Sequence, residues 1–154
     1  MTPRVLAILS RLARNRSGTS LIETAFVIPA ITLLISGVSD VAMSFASKFQ
    51  LQQAANRSAA LATVGGMSGP SFTTIQAEAA AAAGVTTDQV SVDTWLECAG
   101  VRQLAFNGVC TSGQQIGRFV SVTITANYVP KMPVMQYMGG SSWPLQGYSM
   151  VRLQ

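Results

Sequence analysis

The strongest constraint on this chain is an apolar run over residues 24–46 that carries a single charge, Asp40, near its far end. As a helix it measures about 35 Å, enough to cross the hydrocarbon of a bilayer. Pro29 inside the run is expected to kink that helix. A lone acid, Glu23, sits immediately before it, where an unpaired carboxylate in lipid costs several kcal/mol. Asp40 lies about 25 Å beyond Glu23 along the axis and is expected at the outer interface.

The helical pattern does not stop at Ala46. Phe49, Leu51, Ala54, Ala55, Ser58, Ala59, Leu61 and Ala62 continue at three- and four-residue steps, with Lys48, Gln52, Gln53, Asn56 and Arg57 on the other side. One helix is therefore expected from about 19 to 64, membrane-spanning over about 24–46 and amphipathic beyond, with Gly65 and Gly66 ending it. A secretory signal cut after Ser44-Phe45-Ala46 is the main competitor. It would be unusually long and would carry Glu23 at the start of its apolar core.

Charge divides the chain at Gly18. Lys+Arg total 10 against 6 Asp+Glu. Four of the bases, Arg4, Arg11, Arg14 and Arg16, precede Gly18 with no acid among them; the other six bases balance the six acids. The basic character belongs to the leader, where charge that stays cytoplasmic collects, and does not argue for nucleic acid. Histidine is absent, which excludes Ser-His-Asp and Cys-His catalysis and, with 2 cysteines, most zinc sites. The outer acids, Glu78, Asp88, Asp93 and Glu97, read as solvated surface. No phosphate loop or metal cluster is present in the pattern, and neither an enzyme nor a cofactor is expected.

The remainder, residues 65–154, reads as a small outer domain. Thr73-Thr74-Ile75-Gln76 fits a capping box before an alanine-rich helix that Gly84 ends. Val90, Val92, Leu96 and Cys98 alternate with Ser91, Asp93, Trp95 and Glu97 as a half-buried strand. Residues 119–129 alternate more strongly, with Val120, Val122, Ile124, Ala126 and Tyr128 on one side, and Pro130 stops them. Residues 131–144 read as a loop whose methionines, Met132, Met135 and Met138, are packing filler or a contact surface. A last strand is expected near 147–153. The fold class is α+β: a long helix, then a short helix and an antiparallel sheet of about three strands. Cys98 and Cys110 fall outside the membrane, where a disulfide closing residues 99–109 is the expected state and two buried thiols the alternative.

Glu23 has two readings. It can snorkel to headgroup water near the helix N-terminus. Alternatively, cutting after Gly18 makes Thr19 a new N-terminus, whose ammonium pairs with Glu23 of a neighbouring helix and fixes axial register.

The run Arg14-Asn-Arg-Ser-Gly18-Thr19-Ser-Leu-Ile-Glu23 resembles a type IV prepilin cleavage region. Together with Glu23-Thr-Ala-Phe-Val-Ile-Pro29, Gly37-Val-Ser-Asp40 and Gln53-Ala-Ala-Asn-Arg57-Ser-Ala-Ala, it is similar to the TadE-like minor pilins, or pseudopilins, of tight-adherence pilus systems. Two departures are Thr24, where such prepilins usually carry an aromatic residue, and Thr19, where methylated pilins carry phenylalanine. The resemblance implies a leader over 1–18, cutting between Gly18 and Thr19 by a prepilin peptidase, and insertion in a bacterial inner membrane with the N-terminus cytoplasmic and the domain periplasmic. It further implies a role for Glu23 in assembly of a pilus. Its partners would be other minor and major pilins, the inner-membrane assembly platform and membrane lipid. An uncleaved, membrane-anchored binding protein with a periplasmic recognition domain is the alternative.

Overall fold

The computed structural model describes residues 17–64, 71–103, 105–132, 136–137 and 140–153. The leader arginines Arg4, Arg11, Arg14 and Arg16 lie outside them, as do Gly65, Gly66, Met135 and Met138. The architecture is α+β. A 48-residue helix, α1 (Ser17–Val64), is followed by a short helix, α2 (Phe72–Ala83), a 3₁₀ turn (Thr87–Gln89) and four strands: β1 (Val90–Cys98), β2 (Val101–Gln103), β3 (Ile116–Tyr128) and β4 (Trp143–Arg152). The strands form one antiparallel sheet in the order β2-β1-β3-β4.

Helix α1 has two halves with different surroundings. From Leu21 to Ser39 its side chains are exposed or half-buried, among them Leu21, Phe26 and Leu34, and this helix is long and apolar enough to cross a membrane. The helix runs through Pro29. Hydroxyls in this apolar environment turn back on their own helix: Thr32 donates to the Ile28 carbonyl at 2.8 Å, and Ser39 to that of Ile35 at 2.8 Å. Such back-bonding satisfies a polar side chain where no water is at hand.

In the second half, Leu51, Ala54, Ala55, Ser58, Ala59 and Ala62 are buried. Their three- and four-residue spacing makes one stripe, and its small side chains let the helix approach the sheet and α2 closely. Ile75, Ala79, Ala80 and Ala83 of α2 and Val90, Val120, Val122 and Ile124 of the sheet complete the core. The closest approach is at Gly147 in β4, where a Cβ would lie 2.5 Å from the Leu51 carbonyl carbon and oxygen. Next to it, the Gln52 side-chain amide donates to the Tyr148 carbonyl and accepts from the Tyr148 N–H at 3.2 Å.

Three local expectations change. Helix α2 starts at Phe72 with Ser71 as its N-cap residue, and no side chain caps it. Gln76 does not close a box with Thr73: it donates to the carbonyls of Thr87 and Val90, at 2.9 and 2.8 Å, and ties α2 to the start of β1. A capping box does form, between Thr86 and Gln89. Gly84 ends α2 in the left-handed region, as expected.

The sheet has four strands because β1 turns back on itself. Ala99 and Gly100 both have positive φ, 51° and 83°, and Cys98 pairs with Val101. A two-residue turn with two left-handed positions matches the twist of a hairpin. Three residues are too few to reveal strand alternation, so β2 is invisible in the sequence pattern.

Trp95 is the third change. It lies on the side of β1 assigned to polar residues, yet it is buried, because it stacks on Phe119 at 5.4 Å between centroids while the Arg102 guanidinium lies 4.3 Å from its ring centre. Arg152 lies 6.0 Å from the Phe119 ring. Two stacked rings, Trp95 on β1 and Phe119 on β3, are thus flanked by Arg102 of β2 and Arg152 of β4, on the face opposite Val120 and Val122. Arg102 also pairs with Asp93.

Cys98 and Cys110 are joined as a disulfide, Cα–Cα 5.5 Å. The enclosed loop has a second tether. Arg118, buried in β3, donates to the carbonyls of Phe106 and Gly108, both at 3.2 Å.

Candidate functional site

Gly18 and Thr19 lie in the first turn of α1, and Glu23 follows on the exposed apolar half. Among the described residues no cation pairs with Glu23. The structure therefore places these three residues along one helix. Among the described residues no group of three or more histidine, cysteine or carboxylate side chains is placed to hold a metal, here or elsewhere.

The structure adds a site that the sequence did not disclose. Asp40 is fully buried, although it stands within the apolar run, near its far end. One carboxylate oxygen accepts the Lys131 backbone N–H at 2.9 Å and the other accepts the Met132 N–H at 2.9 Å. The Tyr128 hydroxyl reaches the same side chain at 3.3 Å and the Asp40 backbone carbonyl at 3.2 Å. Asp40 is covered by the end of β3 and the turn after Pro130. That turn is what makes the contact possible. Pro130 has no N–H, so the chain leaves the sheet there and the next two amides point to the helix.

The pairing also explains how a carboxylate is tolerated in this position. Charge-assisted bonds to two backbone amides satisfy both oxygens, and a buried carboxylate without them would be strongly destabilising. Asp40 thus fixes the helix against the sheet at one end, and Gln52 with Gly147 fixes it further along. A chain starting at Ser47 would lack Asp40 and leave the Lys131 and Met132 amides without this acceptor, which argues against the secretory alternative.

Burial holds the Tyr128 hydroxyl protonated above its ordinary value near 10, and the charge and hydrogen bond of Asp40 act in the same direction. A group bound more tightly to its proton when folded contributes stability that is complete below the unfolded value and is lost as pH rises through the folded one. Tyr128→Phe is therefore expected to lower stability at neutral pH and to flatten the loss of stability above about pH 10. Thermal unfolding in detergent, followed by near-ultraviolet circular dichroism across that pH range, measures both.

The only signal for the clamp in the sequence was an acid that an apolar run does not need, paired with a proline ending a strand 90 residues later. Nothing in the spacing connects the two. Compared with known proteins, the chain matches no family model, no curated protein and no solved structure.

Proposed function

We propose that this chain is a minor pilin, or pseudopilin, of a tight-adherence pilus. In this reading a prepilin peptidase cuts between Gly18 and Thr19, α1 crosses an inner membrane with its N-terminus cytoplasmic, and the domain lies outside. The observation that carries the reading is the first half of α1: from Leu21 to Ser39 it is mostly apolar and exposed or half-buried, it begins beside Gly18, and it bears Glu23. Lipid satisfies such a segment before assembly and neighbouring helices satisfy it afterwards. Cutting after Gly18 removes all the net positive charge of the chain, since six bases and six acids remain. The new ammonium of Thr19 and the carboxylate of Glu23 on a neighbouring helix then offset each other, which fixes axial register where apolar packing in lipid does not.

The N-terminal sequence and intact mass of the protein, from cells with and without the peptidase, test this. A start at Thr19 that depends on the peptidase is expected, and a retained Met1 rejects it. Glu23→Ala is expected to leave processing intact and to abolish piliation; processed mutant protein with normal pili would remove Glu23 from assembly.

One observation favours the alternative of an uncleaved binding protein. A cleft of about 840 Å³ lies beside the disulfide loop, lined by Leu96, Cys98, Val101, Arg102, Cys110 and Gln114. It is at the end of the sheet away from Asp40, because Cys98 pairs with Ile116 at the opposite end of β3 from Tyr128. The N-terminal measurement separates the two readings, since only the second retains the leader.

A further inference from the structure

We infer that Phe45, Val129, Lys131 and Trp143 form a rim that seats the domain on the lipid headgroup layer, an inference that rests on the membrane-spanning reading of α1. The clamp sets the geometry. Tyr128 bonds to Asp40, and the Trp143 ring packs on the Tyr128 ring at 5.4 Å, so Asp40, Tyr128 and Trp143 mark one level of the molecule. Before Asp40, α1 is mostly apolar and exposed or half-buried from Leu21 to Ser39, about 28 Å of helix against a hydrocarbon layer of about 30 Å. The outer boundary of the hydrocarbon then falls at Asp40, short of the Ala46 suggested by composition.

The residues at that boundary have the character of an interfacial belt. Phe45 and Val129 are each 57% exposed, Lys131 is exposed and Trp143 half-buried. Phe45 lies five residues above Asp40, about 7 Å along the axis. The headgroup layer on each side is about 5–8 Å thick, so Phe45 lies within it. Phe49, about 13 Å above Asp40, lies beyond it. Aromatic rings favour this layer because one part is apolar and another polar or polarisable. Charge points the same way: residues 41–47 and 128–146 contain one charged side chain, Lys131. The only acid at this level, Asp40, is buried, so Lys131 faces the phosphates without an exposed competitor nearby in those segments.

Depth-dependent quenching of tryptophan tests the rim. The chain has 2 tryptophans, and Trp95 pairs with Phe119, about 30 Å along β3 from Tyr128. Trp95→Phe leaves Trp143 alone, and Trp143→Phe leaves Trp95 as the distant reference. Each full-length chain is reconstituted in phosphatidylcholine–phosphatidylglycerol vesicles whose lipids are brominated either near the headgroup or at mid-chain. Trp143 is expected to be quenched several-fold more than Trp95, and more by the shallow bromines than by the deep ones. Lys131→Gln is expected to reduce that quenching when phosphatidylglycerol is present. Equal quenching of Trp143 and Trp95 overturns the rim.

A Phe26→Trp chain lacking both native tryptophans reports on the helix itself. If it is quenched by mid-chain bromines while Trp143 is not, the seating fails and the membrane reading stands. If neither is quenched, both fail. Shielding of Trp143 from bromolipid and from aqueous acrylamide that appears only as protein density rises assigns the rim to a neighbouring chain, and overturns lipid as its occupant.

Discussion

Asp40→Ala is expected to destabilise the attachment of the domain to α1 by about 3 kcal/mol, because it leaves two backbone amides, those of Lys131 and Met132, without an acceptor. Asp40→Asn discriminates between mechanisms. Its volume is nearly that of aspartate, but only one of its terminal atoms accepts; the other is an NH₂ facing a second N–H. Asparagine should therefore behave much more like alanine than like aspartate. Thermal unfolding in detergent gives the loss in stability. Trypsin gives its location, since Lys131 is the exposed basic residue of the clamped turn and cleavage after it should accelerate in both variants. A wild-type melting temperature for Asp40→Asn would mean that one oxygen suffices.

Gly147→Ala is the second large effect. Its Cβ would meet the Leu51 carbonyl carbon and oxygen at 2.5 Å and the Gln52 nitrogen at 2.9 Å. All three are backbone atoms of a helix, which cannot rotate aside as a side chain would, so α1 and β4 must separate. Overpacking usually costs about 1–3 kcal/mol and more where nothing yields, which puts this substitution near 3 kcal/mol. Gln52→Ala removes the neighbouring amide pair without a clash. It should cost less, about 1–2 kcal/mol for two hydrogen bonds at a partly exposed position. Comparing the melting temperatures of the two variants separates steric fit from hydrogen bonding in the same contact.

What could be read in the sequence was periodic or chemically singular. The long helix followed from a continuous apolar pattern, β1 and β3 from alternation, and the disulfide from two cysteines in the outer portion. What could not be read depends on partners far apart in the chain. Asp40 showed itself as an anomaly, but its explanation lies in amides 91 and 92 positions away. Trp95 falls in the polar half of its strand's alternation and is buried by Phe119 and Arg102 from two other strands. Gln76 fits a local capping pattern, yet its amide is drawn to carbonyls 11 and 14 residues on. In each case tertiary contacts outweigh a local preference worth about 1 kcal/mol. Gly18, Thr19 and Glu23, which the proposed function links to processing and assembly, were read from the sequence and its resemblance to prepilins; all three lie on α1.

The contact of Gln52 with Tyr148 also bears on how copies of this protein associate. A sheet normally offers a further strand the unpaired N–H and carbonyl groups of its edges. Here the middle of the β4 edge is closed twice: the Gln52 amide occupies both backbone groups of Tyr148, and the Leu51 backbone lies against Gly147. The opposite edge, β2, is three residues long. It covers β1 only from Leu96 to Cys98, so the middle of β4 is the edge closed by the helix. If the proposed pilin role holds, growth by adding strands at the middle of β4 is therefore blocked, and the exposed half of α1 is the surface left for neighbouring copies.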